Sequence, residues 1–318
     1  MRSEGRAQRA RIARVVERLK TAIGTYGHTA ALKDGTVKPD GAEWEMVEVS
    51  PIVNAFRRMV RQQEFDVSEM AITTYLAARE YQKPFTAIPI FPVRAFHHAP
   101  IAVNTRSGVK DPKDLAGKKV GVRAYTVTTG VWARGILATE YGVDLDKVTW
   151  VVFDEEHVQE FAAPSNVEFA GPGKKIGDML ASGELAAAIG AGQVDSPDVK
   201  PLIPDAQAAQ GAWYRKTGIY PINHMVVIKD ALLNQDRSLA GRVSQAFEEA
   251  KQVFLRRLDS GEGMSAEDEA LGKRRALVGD DPIPYGVQAN RPALEAIIRF
   301  AQDQHILSRA VAPEEIFV

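Results

Sequence analysis

Short apolar segments alternate along most of the chain with stretches in which apolar residues recur at helical spacing. Apolar or alternating segments of roughly four to eight residues predict strands, whereas apolar positions at i, i+3, i+4 and i+7 predict helices. This alternation is typical of an α/β fold. The predicted strands span residues 19–23, 44–49, 65–70, 85–91, 99–104, 119–122, 148–153, 186–189 and 225–228.

Helical patterns follow several of these strands. Ser50-Pro51 predicts a helix start, because proline fits the first turn of a helix, and the following apolar residues form one face. Further helices are predicted over 130–141 and 176–182, and another near Thr73. Two more are predicted from apolar residues at helical spacing within 247–258 and 294–301.

Composition narrows the possible functions. The chain has 318 residues, no cysteine and a formal net charge of −1. The lack of cysteine excludes thiolate nucleophiles, thiolate zinc sites and iron–sulfur clusters. A nearly balanced charge gives no general attraction to nucleic acid or to anionic membranes, so neither is expected as a partner. We instead expect a local site for a small anionic ligand.

The N-terminal residues 1–18 form a basic extension in which apolar residues recur at helical spacing, which is compatible with a short amphipathic helix. They lack the apolar core and small-residue cleavage site of a secretory signal. No apolar stretch reaches the length of about 18 residues that a membrane span needs. We therefore expect a cytoplasmic location.

Histidine is the main candidate for proton chemistry. The chain contains no P-loop, no dinucleotide-binding glycine motif, no H-E-x-x-H and no G-x-S-x-G. The spacing of the histidines matches no metal-ligand motif; no cofactor is predicted, and a divalent metal is left open. The six histidines are His28, His97, His98, His157, His224 and His305.

Three polar loops follow predicted strands. They are His28-Thr29, Thr73-Thr74-Tyr75 and the segment containing Thr126, Thr128 and Thr129. Ligands of open α/β sheets bind beyond the carboxyl ends of strands, and a helix N-terminus attracts carboxylates. Each loop alone is also compatible with ordinary helix capping.

Two further charged features follow strands. Arg94 has a planar guanidinium that suits carboxylate binding, although a surface salt bridge would also explain it. Residues 154–157, Asp-Glu-Glu-His, can supply an acid, a base or a metal ligand, or can form a solvated turn.

Several segments together resemble the 4,5-dihydroxyphthalate decarboxylase family, whose members are similar in fold to type II periplasmic-binding proteins. The resemblance runs from about residue 18 to the C-terminus. The matching segments are 57–59, 64–70, 88–92 with Arg94 and His98, 131–137, 140–143, 214–219 with Pro221 and His224, 279–281, 284–286, 290–291 and 312–317.

The chain departs from the family pattern at three loops. Residues 26–29 read Tyr-Gly-His-Thr where the family commonly has Tyr-Asp-Arg-Thr, and residues 97–99 read His-His-Ala in place of Arg-His-Ser. At 154–160 an acidic run lacks the Pro-Gly-Arg that follows it in the family. These departures leave the exact substrate open.

The resemblance implies two α/β lobes, two crossover strands and a ligand cleft between the lobes. The crossings are expected near 99–104 and 222–228. Lobe one would comprise 19–102 plus 224–318, and lobe two 103–223. The residues expected at the cleft are His28, Thr29, Thr74, Arg94, His98, Tyr125, Thr126, Thr128, Thr129 and His224.

The resemblance also implies a decarboxylase for a hydroxylated aromatic acid. We expect His98 or His28 to donate the proton, and His224 to polarise or deprotonate a ring hydroxyl. Arg94 and the helix start at Thr128 and Thr129 would hold carboxylates. Loss of CO2 needs no redox cofactor, and a histidine suits either proton role because its ordinary pKa is about 6.5.

Two alternatives remain open on the sequence alone. The same fold serves non-catalytic solute-binding proteins, so fold does not decide function. An enzyme of this family could also act on another aromatic or heteroaromatic acid. The sequence does not indicate whether the protein forms an oligomer.

Overall fold

A computed structural model describes residues 17–318, and the structural statements below concern these residues. Residues 1–16, which contain most of the predicted basic extension, lie outside them. The strands in chain order are β1 Glu17–Ala22, β2 Ala42–Met46, β3 Val67–Ala71, β4 Phe85–Arg94, β5 Ile101–Asn104, β6 Lys119–Val122, β7 Thr149–Val152, β8 Val167–Phe169, β9 Ala187–Ile189, β10 Val199–Pro201 and β11 Ile222–Lys229.

Ten α-helices connect and cover these strands within the described part of the chain. They are α1 Ala30–Lys33, α2 Val53–Gln62, α3 Ile72–Glu80, α4 Thr128–Tyr141, α5 Ile176–Ser182, α6 Ala206–Thr217, α7 Asp230–Gln235, α8 Leu239–Ser260, α9 Ala266–Val278 and α10 Arg291–Asp303. None of them is long and apolar enough to cross a membrane.

The strands form two sheets. The first has the order β2-β1-β3-β11-β4, and the second has the order β10-β5-β9-β6-β7-β8. In the first sheet β1 is parallel to β2 and β3, whereas β11 is antiparallel to β3 and β4. In the second sheet β6 is parallel to β7 and β9, and β5 is antiparallel to β9 and β10. Each sheet therefore mixes the two directions.

The chain passes between the sheets twice. It leaves the first sheet after β4 and enters the second at β5, and it returns between α6 and β11. The expected lobe boundaries, at 102/103 and 223/224, fall inside β5 and β11. Each of these strands is hydrogen-bonded within one sheet only, so the connecting segments are 95–100 and 218–221.

One helix from the last part of the chain packs on the second sheet's side. The ring of Phe300 in α10 meets Trp132 of α4 edge-on, with 5.7 Å between ring centroids. At Gly135 a Cβ atom would come within 2.1 Å of the Phe300 ring, so this contact requires glycine. The close approach fixes α4, and the N-terminus of α4 reaches the cavity described next.

Candidate active site

A cavity of about 190 Å³ lies where loops from the two sheets meet. It follows β3 of the first sheet and β6 of the second, at the carboxyl ends of these strands, where α/β folds bind ligands. Its size suits a single aromatic ring, because an apolar cavity of about 150 Å³ holds benzene. The lining residues are Val53, Phe56, Ala71, Thr74, Arg123, Ala124, Thr126, Val127, Thr128, Thr129, Glu156, His157, Asn223 and His224.

His224 reaches this cavity from β11. Its Cα pairs with that of Ala71 in β3, and Glu69 stands two residues earlier on the same face of β3. This diagonal arrangement brings Glu69 Oε1 to 2.6 Å from His224 Nδ1, which donates the hydrogen bond. The ring of Phe56 packs edge-on against the imidazole at 4.9 Å. With Nδ1 engaged, Nε2 is the ring nitrogen left for a ligand.

Glu69 is fully buried and tied by three donors. Besides His224, the Tyr26 hydroxyl donates to Oε1 at 2.8 Å and the Gly24 N–H donates to Oε2 at 2.7 Å. Burial alone would raise the pKa of Glu69, but the hydrogen bond and charge of His224, with the other donors, outweigh it and lower the pKa. Glu69 is therefore an ionised partner for His224.

The loop after β1 is shaped to supply those donors. A Cβ atom at Gly24 would lie 2.3 Å from the phenol oxygen of Tyr26, so glycine allows the tyrosine to fold back over its own loop. Burial and the neighbouring Glu69 raise the pKa of Tyr26. The phenol thus stays protonated and can keep donating to Glu69.

A second histidine lines the cavity from the second sheet's side. His157 Nδ1 lies 3.1 Å from the hydroxyl oxygen of Thr74. Burial lowers the pKa of His157 to about 4, and three nearby arginines contribute in the same direction. At neutral pH this imidazole is uncharged, so the cavity holds a neutral histidine and a carboxylate-paired histidine.

The N-terminus of α4 faces the same space. Its capping residue is Val127, which has no side-chain acceptor for the first N–H groups. The hydroxyl of Thr128 lies 2.7 Å from that of Thr73, which also donates to the Thr126 carbonyl at 2.6 Å. An uncapped helix start of this kind attracts carboxylates.

Glu156 closes the loop that precedes α4. Its carboxylate accepts the Tyr125 N–H at 2.5 Å and also accepts the N–H and the hydroxyl of Thr126. Asn223 also lines the cavity; its Oδ1 lies 3.1 Å from His97 Nε2, and the His97 ring stacks on Trp132. These contacts hold the side chains of Glu156 and Asn223 in place, and both residues line the cavity.

Half of the residues expected at the cleft line this cavity, and half lie elsewhere. The cavity residues are Thr74, Thr126, Thr128, Thr129 and His224. The structure places the following five outside its lining: His28, Thr29, Arg94, His98 and Tyr125.

Arg94 and Thr29 bond to the protein's own main chain. The Arg94 guanidinium donates to the carbonyls of Tyr220 and Pro284, each at 2.9 Å, and to the Asn290 side chain. The Thr29 hydroxyl donates to the Gly24 carbonyl at 2.8 Å. Arg94 therefore holds the connecting segment 218–221 and a loop of the first lobe, and Thr29 holds the loop after β1.

His28, His98 and Tyr125 pack against other rings. His28 lies between Tyr26 and Phe254 and lines a separate pocket of about 420 Å³. His98 packs edge-on against Trp213, and burial lowers the pKa of both histidines to about 4. The ring of Tyr125 stacks on Phe161, while its backbone contacts Glu156.

The sequence interpretation did not assign Glu69, Arg123 or Asn223 to the site, and left the role of residues 154–157 open. A signal existed for Glu69, because it is the one charged residue in the otherwise uncharged strand β3. A charge at a buried strand position needs a partner. Within residues 17–318, no three His, Asp or Glu side chains converge to hold a metal ion.

The sequence is similar to one protein-family model and to two named decarboxylases. Residues 45–194 match the family model described as "ABC transporter, phosphonate, periplasmic substrate-binding protein". The chain is 30% identical over 316 residues to a 4,5-dihydroxyphthalate decarboxylase of Comamonas testosteroni, covering 94% of this chain and 96% of that protein. It is 33% identical over 210 residues to one of Pseudomonas putida, covering 62% and 81%.

Solved structures share the fold at low sequence identity. The sulphonate-binding protein SsuA of Escherichia coli superposes with a TM-score of 0.53 at 11% identity, covering 95% of this chain and 92% of that one. The desulfurization enzyme DSZB superposes with a TM-score of 0.52 at 15% identity, covering 95% and 96%. The predicted fold, α/β and periplasmic-binding-protein-like, is thereby confirmed.

Proposed function

Because the chain belongs to the 4,5-dihydroxyphthalate decarboxylase family, we propose that it removes one carboxylate, as CO2, from a hydroxylated aromatic acid such as 4,5-dihydroxyphthalate. The observation that carries this proposal is the Glu69–His224 pair at a cavity sized for one ring. The pair can hold a proton beside a bound ring.

His224 is the proposed proton donor. Loss of CO2 leaves the electron pair of the broken carbon–carbon bond on the ring, and a proton must replace the carboxylate. In its protonated form, His224 can deliver that proton from Nε2 to the ring carbon, since Nδ1 is held by Glu69. The hydrogen bond from Nδ1 to the buried carboxylate fixes the orientation of the imidazole ring.

The remaining polar groups bind and orient the substrate. The first turn of α4 offers N–H groups and the Thr128 and Thr129 side chains to an acidic group of the ring. The neutral His157 is suited to accept a hydrogen bond from a ring hydroxyl. This hydrogen bond makes the hydroxyl oxygen a stronger electron donor to the ring. Val53 and Phe56 supply apolar contact with its faces.

The first experiment measures turnover of 4,5-dihydroxyphthalate, following substrate loss and CO2 release with and without a divalent metal. His224→Asn should lower kcat by about 100- to 10,000-fold, because a positioned acid contributes a factor of this size. His305→Asn is the matched control. His305 is exposed and has a positive φ of 60°, which asparagine tolerates, so its kcat should not change.

Unchanged turnover in His224→Asn would contradict the proposed role of His224. Saturable binding of the substrate with no turnover by the wild-type protein would instead favour a solute-binding protein. That second function has support in the family-model match and in the likeness to a sulphonate-binding protein. The assay therefore separates catalysis from capture.

A further inference from the structure

An arginine-lined groove of about 430 Å³ adjoins the cavity. We call it the arginine groove and define it by Arg57, Arg58, Arg61 and Arg123, which all line it. The groove and the cavity share Val53, Arg123 and His157, so a ligand in the cavity can extend into the groove.

Two of the four arginines are committed to other partners. Arg58 grips the carboxylate of Glu64 with two hydrogen bonds, each 2.6 Å long. Arg61 donates to the carbonyls of Glu156 at 2.8 Å and His157 at 3.2 Å, and so holds the loop that lines the cavity. Both guanidinium groups are engaged within the protein, so Arg58 and Arg61 form the wall of the groove and are not the groups that bind an anion.

The other two arginines are available to an anion. Arg57 makes one hydrogen bond, to the Glu155 carbonyl at 3.3 Å; its Nε is buried without a partner, and no carboxylate pairs with it within residues 17–318. Arg123 forms an ion pair with Asp154 at 3.2 Å, in which both side chains are nearly half exposed. Such a pair contributes little to stability, so it can open for a ligand.

We propose that Arg57 and Arg123 form a second anion subsite, which selects ring acids with two adjacent carboxylates and holds the one that the substrate keeps. The inference rests on the proposed function and adds to it the residues that bind the second carboxylate. Of the four arginines, only Arg123 lines both spaces, and Arg57 supplies a charge that no carboxylate compensates within residues 17–318.

Charge decides which carboxylate occupies this subsite. A carboxylate that leaves as CO2 loses its negative charge in the reaction. Guanidinium groups stabilise that charge in the bound substrate, so a carboxylate held by them is harder to remove. The retained carboxylate therefore lies on Arg57 and Arg123, and the leaving one lies in the cavity beside His224.

The test compares two unreactive ligands by calorimetry: phthalate, with two adjacent carboxylates, and benzoate, with one. In Arg57→Gln and Arg123→Gln the Kd for phthalate should rise about tenfold or more, because a charge-assisted hydrogen bond is lost. The Kd for benzoate should change less than about threefold, because its single carboxylate can bind at the N-terminus of α4 instead of at the two arginines.

Two further variants provide controls. Arg106→Gln removes another exposed arginine, paired with Asp198 at 3.0 Å and absent from the cavity lining, and should leave both constants unchanged. Asp154→Asn removes the competitor of Arg123 and should tighten phthalate binding. Tighter binding is opposite to the weaker binding expected of the arginine variants, and damage to the fold would not produce it.

Equal weakening of phthalate and benzoate in the Arg57 and Arg123 variants would overturn the subsite. So would unchanged phthalate binding, or a wild-type protein that binds no phthalate. The ligands need no turnover. A protein that shows the expected phthalate–benzoate difference but releases no CO2 would therefore retain the subsite and lose the proposed function.

Discussion

Arg94 shows how far one buried side chain can determine local structure. It is 4% exposed, and it links an oxygen of residue 220, in the connecting segment 218–221, to oxygens of residues 284 and 290 in the first lobe. Burial lowers the pKa of Arg94 to about 10, so it remains charged at neutral pH. The two terminal nitrogens of the guanidinium are engaged by the protein itself, which argues for a structural role.

Arg94→Met should lower the free energy of unfolding by about 2–4 kcal/mol, because it leaves buried oxygens without donors. The KM of the folded protein should stay within about threefold of wild type. Urea unfolding measures the first quantity and the decarboxylation assay the second. Arg299→Met, at an exposed arginine of α10, serves as control and should change stability by less than about 0.5 kcal/mol.

A raised KM with unchanged stability would assign Arg94 to carboxylate binding, as the sequence interpretation proposed. The sequence alone could not separate these roles. An arginine that follows a strand is compatible both with binding a ligand and with hydrogen bonding to a loop of the protein. The same limit applies to His28 and His98, which are buried against aromatic rings.

Among the helices and strands, the pattern of apolar residues was informative for elements that pack apolar side chains into the core. The strands β1, β4 and β6 and the helices α4 and α5 lie within a few residues of their predicted bounds. The sequence missed β8 and β10, which have three residues each and are too short to show alternation. It also missed α9, whose one buried residue is Asp268, so no apolar stripe marks it.

The position of the loops relative to the sheets explains which site residues were predicted together. Residues 73–75 lie in the first turn of α3, and residues 126–129 lead into α4. Both segments follow strand ends, one in each sheet, and the hydroxyls of Thr73 and Thr128 meet there. The loop at 26–29 folds back on its own lobe, so it contributes Tyr26 to Glu69 and points His28 elsewhere. The backward turn of this loop requires glycine at position 24, where a Cβ atom would collide with the Tyr26 ring, and it also depends on tertiary packing.

At the scale of the whole molecule, the cavity depends on contacts between the two lobes. Arg61 of α2 holds the loop at 155–157, and Phe300 of α10 fixes α4. His224, Thr128 and His157 come from three separate parts of the chain. The family resemblance predicted that His224 and Thr128 converge, but it did not place His157 with them. Spacing along the sequence carried no information on this convergence.

Buried histidines make the whole fold sensitive to acid. Burial lowers the pKa values of His28, His97, His98 and His157 from 6.5 to about 4. Between these values the unfolded chain binds protons that the folded chain does not. Stability from these groups is therefore complete above about pH 6.5 and is lost as pH falls toward about 4.

Urea unfolding at pH 7.5, 6 and 5 measures this dependence. We expect the midpoint to fall at each step below about pH 6.5, with a slope that reflects an uptake of about one proton for each of the four histidines. Replacing His97 by Gln should reduce that slope. A midpoint that stays constant down to pH 5 would contradict the low pKa values.

The central claim is that a protein acid replaces one ring carboxylate by a proton in the cavity of His224. Its most direct measurement is the reaction of 4,5-dihydroxyphthalate in D2O, with the product analysed by NMR. We expect release of CO2 and one deuterium on the ring carbon that carried the lost carboxylate, with a rate that falls in His224→Asn. Substrate that is bound but recovered intact, or product without deuterium at that carbon, would contradict it.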